Sequence, residues 1–499
     1  MVACLSDPVS ARAQETSHSQ VDLTSAINIT FENDPQIERS RQQLEIARGG
    51  LEIAASAFEP LLSASGSWID SRLATGPDSA DESEVLGFGL GLDRLLRGGT
   101  LLQPRFDIER DPGTVADATV NVGTLSLALT QPLLRGRGRT ATAADERASR
   151  LDVAAAERDL HQLIEGRVRS VARQYWRTVA AQDRLAILQA TEDSSRQLLA
   201  TTRLLVDADQ TPRADLVLIE ADLTAKEIDR IAAESALFAA RQDLGREMGL
   251  DAQALQALAP PSDALPTITA SADLPTLPAA QRFVDLATER RHDLAALRLR
   301  REATTALRTA ARSGLLPALD LTFVPSYSGA IEGSSVDDFF SSTVRNSPGL
   351  SSELRLQLGL PLRNRAAEGR WLQATARDRT SELLVEELLK GLAADVPTAV
   401  DAVERSRQQV RLAAASVRLF EKAVANEEKK LRAEASTLID VITQRDRLTA
   451  ARQRMITARL AYAQALIDLR FQTATLTAVA DPYRLGDLET VPDPRGGAP

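Results

Sequence analysis

Cysteine occurs once in the 499 residues, as Cys4, which excludes a disulfide framework and any multi-cysteine metal site. Histidine occurs three times, at His18, His161 and His292. With no nucleophile elbow and no carboxylate cluster at fixed spacing beside them, no catalytic centre is expected, and neither a cofactor nor a metal. No run of about eighteen apolar residues exists, so no helix is expected to span a bilayer. The net charge is -10, with both signs dispersed, and no basic face invites nucleic acid. Aromatics are 4% of the chain, whereas alanine, leucine, arginine and glutamate dominate, as in long packed helices.

What is present is a two-part sentence written twice. Leu125, Leu127 and Leu129 alternate with Ser126, Ala128 and Thr130, the two-residue period of a strand with one apolar face. Pro132 ends it, and past Gly136 and Gly138 a helix pattern from about Arg137 runs to Val206, roughly 100 Å at 1.5 Å per residue. Leu354, Leu356, Leu358 and Leu360 repeat the alternation, Pro361 repeats the stop, and a second long helix follows from about Ala366 to Arg432, with a kink expected at Pro397. The spacing therefore predicts a tandem duplication. The first repeat covers 21–259, a proline-rich connector 260–278, and the second repeat 279–480.

In each repeat the long helix turns back into a shorter one. Thr211 and Pro212 have the chemistry of a helix cap and first position, and Ser436 and Thr437 stand at the equivalent place. Loops this short make antiparallel hairpins. Val403, Val410, Val417, Val424 and Leu431 are seven apart, as are Val441, Leu448, Met455, Tyr462 and Leu469; Leu216, Leu223, Leu237 and Leu244 keep the register in the first half, with Arg230 as the exception. A strict heptad imposes left-handed supercoiling on partner helices. Helices are also expected over about Asp34–Phe58 and Ala279–Ser313. Strand character appears around Trp68, over Leu319–Phe323 and in a hairpin of Val85–Leu96 and Leu101–Glu109 joined at Gly98-Gly99, and Val324–Leu350 reads as a loop. Gly87, Gly89 and Gly91 suit a tightly curved strand better than a nucleotide loop, because no helix opens behind them.

The ends carry their own expectations. Residues 1–20 read as a truncated leader remnant: Ala11-Arg-Ala13 has the form of a signal-peptidase site, without the apolar core that normally precedes one. Met1-Val-Ala-Cys4 has the form of a lipoprotein cleavage box, which would make Cys4 a lipid anchor; a tail with a stray cysteine is the alternative. Residues 481–499 read as a disordered tail. The residues alone leave two architectures open. Either the amphipathic strands close into a membrane barrel by oligomerisation, with Trp68, Phe323, Tyr327, Phe339 and Phe340 as interfacial aromatics, or they form a small soluble sheet on a coiled-coil scaffold.

The duplicated layout resembles the TolC-like outer-membrane efflux protein family over about residues 25–475. The resemblance rests on Leu129-Thr-Gln-Pro-Leu-Leu-Arg-Gly136 with its echo Leu358-Gly-Leu-Pro-Leu362, and on the tips Thr211-Pro-Arg-Ala-Asp-Leu216 and Ser436-Thr-Leu-Ile-Asp-Val441. It implies a mainly α fold with a small β part: two long helical hairpins in a coiled-coil barrel, and four strands per protomer in a twelve-stranded trimeric barrel. It further implies a non-enzymatic homotrimeric channel in the outer membrane of a Gram-negative-type bacterium, with a large periplasmic part. The implied partners are outer-membrane lipid, a periplasmic adaptor and an inner-membrane transporter, in efflux or type I secretion.

The same resemblance places a periplasmic gate at Asp440, with Asp215 as its counterpart and Thr443 one turn on, and adaptor contacts at Thr211, Pro212, Ser436 and Thr437. Pro132, Gly136 and Pro361 become the strand-to-helix joints. Leu431 and Ala435 provide no polar latch. A plainer role for either aspartate is to complement the helix dipole. Arg135-Gly-Arg-Gly-Arg139 reads as a solvated collar below the barrel. The hairpin Val85–Glu109 adds strand-like sequence beyond the implied four strands, either extending the strands outward or folding over the barrel mouth.

Overall fold

The computed structural model describes residues 21–76, 79–111, 119–208, 212–268, 279–344, 349–433, 435–478, 481–486 and 490–492. The leader region with Cys4 lies outside them, as do Thr211 and the end of the connector. In chain order the elements are α1 (Leu23–Asn33), α2 (Pro35–Ser56), β1 (Leu61–Gly76), β2 (Ser79–Leu95), β3 (Leu101–Asp111), β4 (Val120–Pro132), α3 (Arg139–Thr142), α4 (Ala144–Asp207), α5 (Ala214–Glu247) and α6 (Ala252–Gln256). The second half holds α7 (Ala280–Arg290), α8 (His292–Ser313), β5 (Ala318–Glu332), α9 (Val336–Ser341), β6 (Gly349–Gly359), α10 (Arg365–Arg432), α11 (Leu438–Gln472), β7 (Thr477–Ala478) and β8 (Asp481–Leu485). The fold is mainly helical with a small β part. Among the described residues no helix is long and apolar enough to cross a membrane.

The two halves match in length. Helices of 11 and 22 residues open each one, broken at a single extended residue, Asp34 in the first and Arg291 in the second. Long helices of 64 and 68 residues, then return helices of 34 and 35, complete the correspondence. The breaks are held by side chains on the long and return helices: Asp34 receives the Arg167 guanidinium of α4, and Arg291 donates to Gln472 of α11. The start of α2 falls where the sequence places it, since Pro35 keeps the preceding Asp34 out of the helical region. The helix α1 before it, and the break at Arg291 within the stretch expected as one helix over Ala279–Ser313, are additions of the structure.

The chain folds into two compact units, each drawing on both repeats. One comprises Met1–Arg41, Leu160–His292 and Leu389–Pro499; the other comprises Gln42–Asp159 and Asp293–Leu388. In the first unit, Ile27 of α1 and Ile164, Val168, Val171 and Tyr175 of α4 pack with Leu244 of α5 and Ile467 of α11. The Tyr175 hydroxyl donates to the Val21 carbonyl at 3.0 Å and to Asp263 at 2.9 Å, so the connector begins clamped against the first residues of the repeat. Burial raises the Tyr175 phenol above its ordinary range, keeping it a donor. His161 and His292 meet edge to face at 5.0 Å in this unit.

Of the heptad positions, Val403, Val410, Val424, Val441, Tyr462, Leu469 and Leu244 are buried, and Leu216, Leu223, Leu237, Val417, Leu431, Leu448 and Met455 are half-buried. Arg230 leaves that register to bind Glu192 of α4 at 2.6 Å, a carboxylate only 5% exposed that also pairs with Arg196. Desolvation pushes Glu192 up, but the two guanidinium groups outweigh it and hold it below the usual carboxylate range. The tail expected to be disordered from Asp481 instead begins with β8. Tyr483 packs edge to face on Phe31 at 5.2 Å, its hydroxyl accepts from Arg41 at 2.9 Å, and Thr490 receives Arg470 at 2.6 Å.

The second unit carries one six-stranded antiparallel sheet in the order β1-β2-β3-β4-β5-β6. It has two strands more than the four implied, because the Val85–Glu109 hairpin pairs with β1 on one side and β4 on the other, inserting two strands into the sheet instead of extending the four outward or folding over a mouth. β5 also runs to Glu332 through a stretch expected to be loop, since Ser326, Ser328 and Gly329 pair with β4.

Candidate functional site

Strand register gives the sheet two chemically opposed faces. Leu86, Phe88 and Leu90 of β2 share a face with Phe106 and Ile108 of β3, Leu125 of β4, Phe323 and Tyr327 of β5, and Leu350, Leu354 and Leu356 of β6. Trp68 of β1 continues it opposite Leu86. In the single chain, Leu354, Leu356 and Leu358 are 70, 62 and 64% exposed, and Trp68 is 66% exposed. So large an uncovered apolar surface marks a contact with lipid or protein.

The opposite face is polar. Asp93 accepts from Gln103 at 2.9 Å and from Arg105 at 3.0 Å, Thr130 meets Thr322 at 3.1 Å, Ser326 meets Ser351 at 2.7 Å, and Arg355 pairs with Glu353. Gly87, Gly89 and Gly91 belong here as strand residues. A Cβ at Gly91 would lie 2.3 Å from the Arg105 guanidinium, so glycine makes room for the long side chains of β3. On the apolar face, Arg94 stands at the helix-proximal end of β2, and Arg110 stands near the far end of β3, where its guanidinium donates to Asn121 and to the Ser335 carbonyl.

The joints lie at the near end of this sheet. Gly136 and Gly138 take φ of 78 and 81°, a region that favours glycine. The Gly136 amide donates to Ser313 at 3.1 Å, its carbonyl accepts from Thr142 at 2.7 Å, and Gly138 donates to Gly98 of the β2–β3 turn at 3.0 Å. That close approach delays the long helix: α4 begins at Ala144 rather than near Arg137. In the second repeat Pro361 follows β6, and the Asn364 amide reaches the Gly314 carbonyl at 3.3 Å.

At the tips the repeats differ. The Thr437 hydroxyl accepts the Asp440 amide and the Asp440 carboxylate accepts the Thr437 amide, a reciprocal capping box that starts α11. Ser436 donates to Glu427, which also pairs with Lys430 at 3.0 Å. Bonds from the Thr437 hydroxyl and amide hold the exposed Asp440 carboxyl below its ordinary value. The Thr443 hydroxyl turns to the Ile439 carbonyl at 2.8 Å. Asp215 lies in the first turn of α5, but that helix begins at Ala214 without a side-chain cap, so Pro212 precedes the first helical position by two residues.

Sequence reasoning missed the polar network behind the tips. Lys226 of α5 pairs with Asp446 of α11 and with Asp222, which accepts from Ser195 of α4 at 2.6 Å. Arg445 of α11 joins Glu428 of α10 to Ser194 of α4, the latter at 3.0 Å. Ser194, Ser195, Asp222, Lys226, Arg445 and Asp446 border a cavity of about 90 Å³. Burial alone would lower the Lys226 ammonium, but its bond to Asp446 and the neighbouring carboxylates hold it above the ordinary lysine value. The i,i+4 spacing of Asp222 and Lys226 was the available signal; their partners on other helices were not.

Residues 283–475 match the family model described as Outer membrane efflux protein. Among solved structures, a membrane protein from Pseudomonas aeruginosa is similar at 16% identity, over 90% of this chain and 92% of that one, with a TM-score of 0.64. The CmeC outer membrane channel of Campylobacter jejuni is similar at 15% identity over 90 and 85% of the two chains, with a TM-score of 0.63. The outer membrane protein VceC of Vibrio cholerae is similar at 16% identity over 90 and 95%, with a TM-score of 0.62. At these identities the likeness is one of fold. No curated protein matches the chain.

Proposed function

We propose, from the premise that the chain carries an outer membrane efflux protein domain and has the fold of outer-membrane channels, that copies of it form a passive channel across the outer membrane. The channel serves as the exit duct of a tripartite efflux pump or type I secretion system. The observation that carries this reading is the two-faced sheet. Each of its exposed leucines contributes about 1.5–3 kcal/mol when moved out of water. A soluble scaffold leaves that face uncovered, whereas lipid covers it and a water-filled lumen receives the charged face.

Lipid tolerates no open edge, so β1 and β6 need partners. With six antiparallel strands the edges run in opposite directions, and β6 of one copy meets β1 of the next in antiparallel fashion. In a homotrimer, six strands from each copy close a barrel of eighteen rather than twelve, a size that leaves an aqueous channel. The two repeats supply the periplasmic helices. Their tips, at Pro212, Thr211, Ser436 and Thr437, meet an adaptor that links the duct to an inner-membrane transporter. Asp440, with Asp215 behind it, lines the periplasmic constriction and favours cations. The network of Lys226 and Arg445 holds the two hairpins together in the closed state.

Single-channel recording in planar bilayers tests this. Discrete cation-selective steps, less selective in Asp440→Ala, are expected. A folded protein that never inserts and never changes mobility on heating would overturn the channel.

A further inference from the structure

The connection between β5 and β6 contains a short helix that no channel or gate role uses. It is strapped down tightly. Arg110 donates to Asn121 at 2.8 Å and to the Ser335 carbonyl at 2.6 Å, and its guanidinium lies 5.1 Å from the centroid of Phe339. Asn121 is fully buried and donates to the Gly333 carbonyl at 2.7 Å. The Ser335–Asp338 capping box starts α9, and a Cβ at Gly329 or Gly123 would stand 2.4 or 2.2 Å from Ser342 or Thr343. Both glycines point to the leucine side, so α9 lies on the apolar face and not over the polar one.

Its outward surface has a mixed character. Val336 is 70% exposed and Phe340 is 54% exposed, the latter touching Phe88 at 6.1 Å between ring centroids. Asp337, also exposed, sits beside them. The apolar side chains disfavour bulk water, and a carboxylate disfavours hydrocarbon; the boundary between the two suits both.

The position along the strands agrees. From Gly123, under the helix, β4 runs to Pro132 at the joint, about the nine to eleven residues that a tilted strand needs to cross a bilayer. One cross-strand row joins Trp68, Leu86, Arg110, Asn121 and Ile331. Within it the Trp68 indole donates to Glu84 at 2.7 Å, the mixed habit of an interfacial aromatic.

We propose that α9 is an interfacial anchor, seated on the lipid side of the barrel at the headgroup boundary furthest from the joints, with Val336 and Phe340 in the lipid and Asp337 at its aqueous edge. This rests on reading the leucine face as the lipid face. It gives the channel a grip on the outer leaflet that the strands alone do not supply.

Nitroxide labels at Phe340→Cys, Val336→Cys, Asp337→Cys and Leu356→Cys, each in a Cys4→Ser background reconstituted in phospholipid vesicles, test it by accessibility to oxygen against an aqueous nickel chelate. The expected oxygen-to-nickel ratio at 340 and 336 is several-fold above that at 337 and below that at 356. If 356 reads as lipid while 340 and 336 match 337, the helix stands in water and the anchor is overturned. If 340 and 336 are shielded from both reagents, protein covers them and it is overturned in favour of contact between copies. If 356 itself is not in lipid, the membrane reading of the sheet fails and the anchor fails with it.

Discussion

The Asp440 carboxylate accepts the Thr437 amide at 3.2 Å while the Thr437 hydroxyl accepts the Asp440 amide at 3.3 Å. The residue assigned to the gate is therefore also the residue that starts the tip helix. Thr437→Ala removes one half of the box and is expected to destabilise the start of α11 by about 1 kcal/mol. Hydrogen exchange over residues 438–443 measures it. Unchanged protection would show that the cap does not hold the tip.

Protonation should act on the same element. The Asp440 carboxyl is held below its ordinary value in the fold, so its contribution is fully present above the unfolded carboxylate pKa of about 3.9 and is lost as pH falls through the lower folded value. Protection factors at the start of α11 should be flat from about pH 7 to pH 5 and drop only below about pH 4. A drop centred near neutrality would assign the control to another group.

Lys226 binds carboxylates on two helices, and its side chain is only 15% exposed. Lys226→Ala leaves Asp222 and Asp446 without their shared cation. A loss of about 1–2 kcal/mol is expected, less than for a fully buried pair because Asp446 is 47% exposed. A cycle with Asp446→Ala should give a coupling of about 1 kcal/mol, and bilayer recordings should show more frequent opening. Additive effects would reduce the network to independent surface contacts.

Gly329→Ala drives a Cβ to within 2.4 Å of the Ser342 carbonyl oxygen, which is backbone and yields little. A cost of about 1–3 kcal/mol is expected, read as a lower unfolding temperature in detergent and faster cleavage near α9. Gly50→Ala, with open space around it in the interior of α2, is the contrasting substitution, expected to stabilise by up to about 1 kcal/mol.

Removing residues 79–111 deletes the β2–β3 hairpin and leaves four strands that still alternate in direction. Three such copies close twelve strands, and since diameter scales with strand number the barrel mouth should narrow by about a third. Polyethylene glycol exclusion from the barrel side measures the mouth without involving the tips. An unchanged cut-off would place the hairpin outside the lining.

Much of this was legible because it is periodic. The leucine alternation at 125–129 and 354–358, the heptads at 403–424 and the proline and glycine stops are local patterns imposed by backbone geometry. The illegible parts depend on distant partners. Arg291 breaks a helix with no local stop signal, and its partner Gln472 lies far away in sequence, whereas the break at Asp34 is local, set by Pro35. Ser326 and Gly329 look like loop residues until β4 pairs with them, and Tyr483 is ordered by Phe31 and Arg41 from the opposite end of the chain. Lys226 carries no sequence signal of its pairing with Asp446, because that partner lies on another helix. The gate role of Asp440 rests on a family likeness, whereas the capping box is local, carried by Thr437 and Asp440 three residues apart.

The clamp at Tyr175 has a temporal side. It joins Val21 to Asp263, and the core around it needs Ile467 and Leu476 before it is enclosed. Such high sequence separation makes completion late and slow. Synthesis must deliver nearly the whole polypeptide before this core can close. Among the described helices the last, α11, is thus the one that closes the core of the first unit.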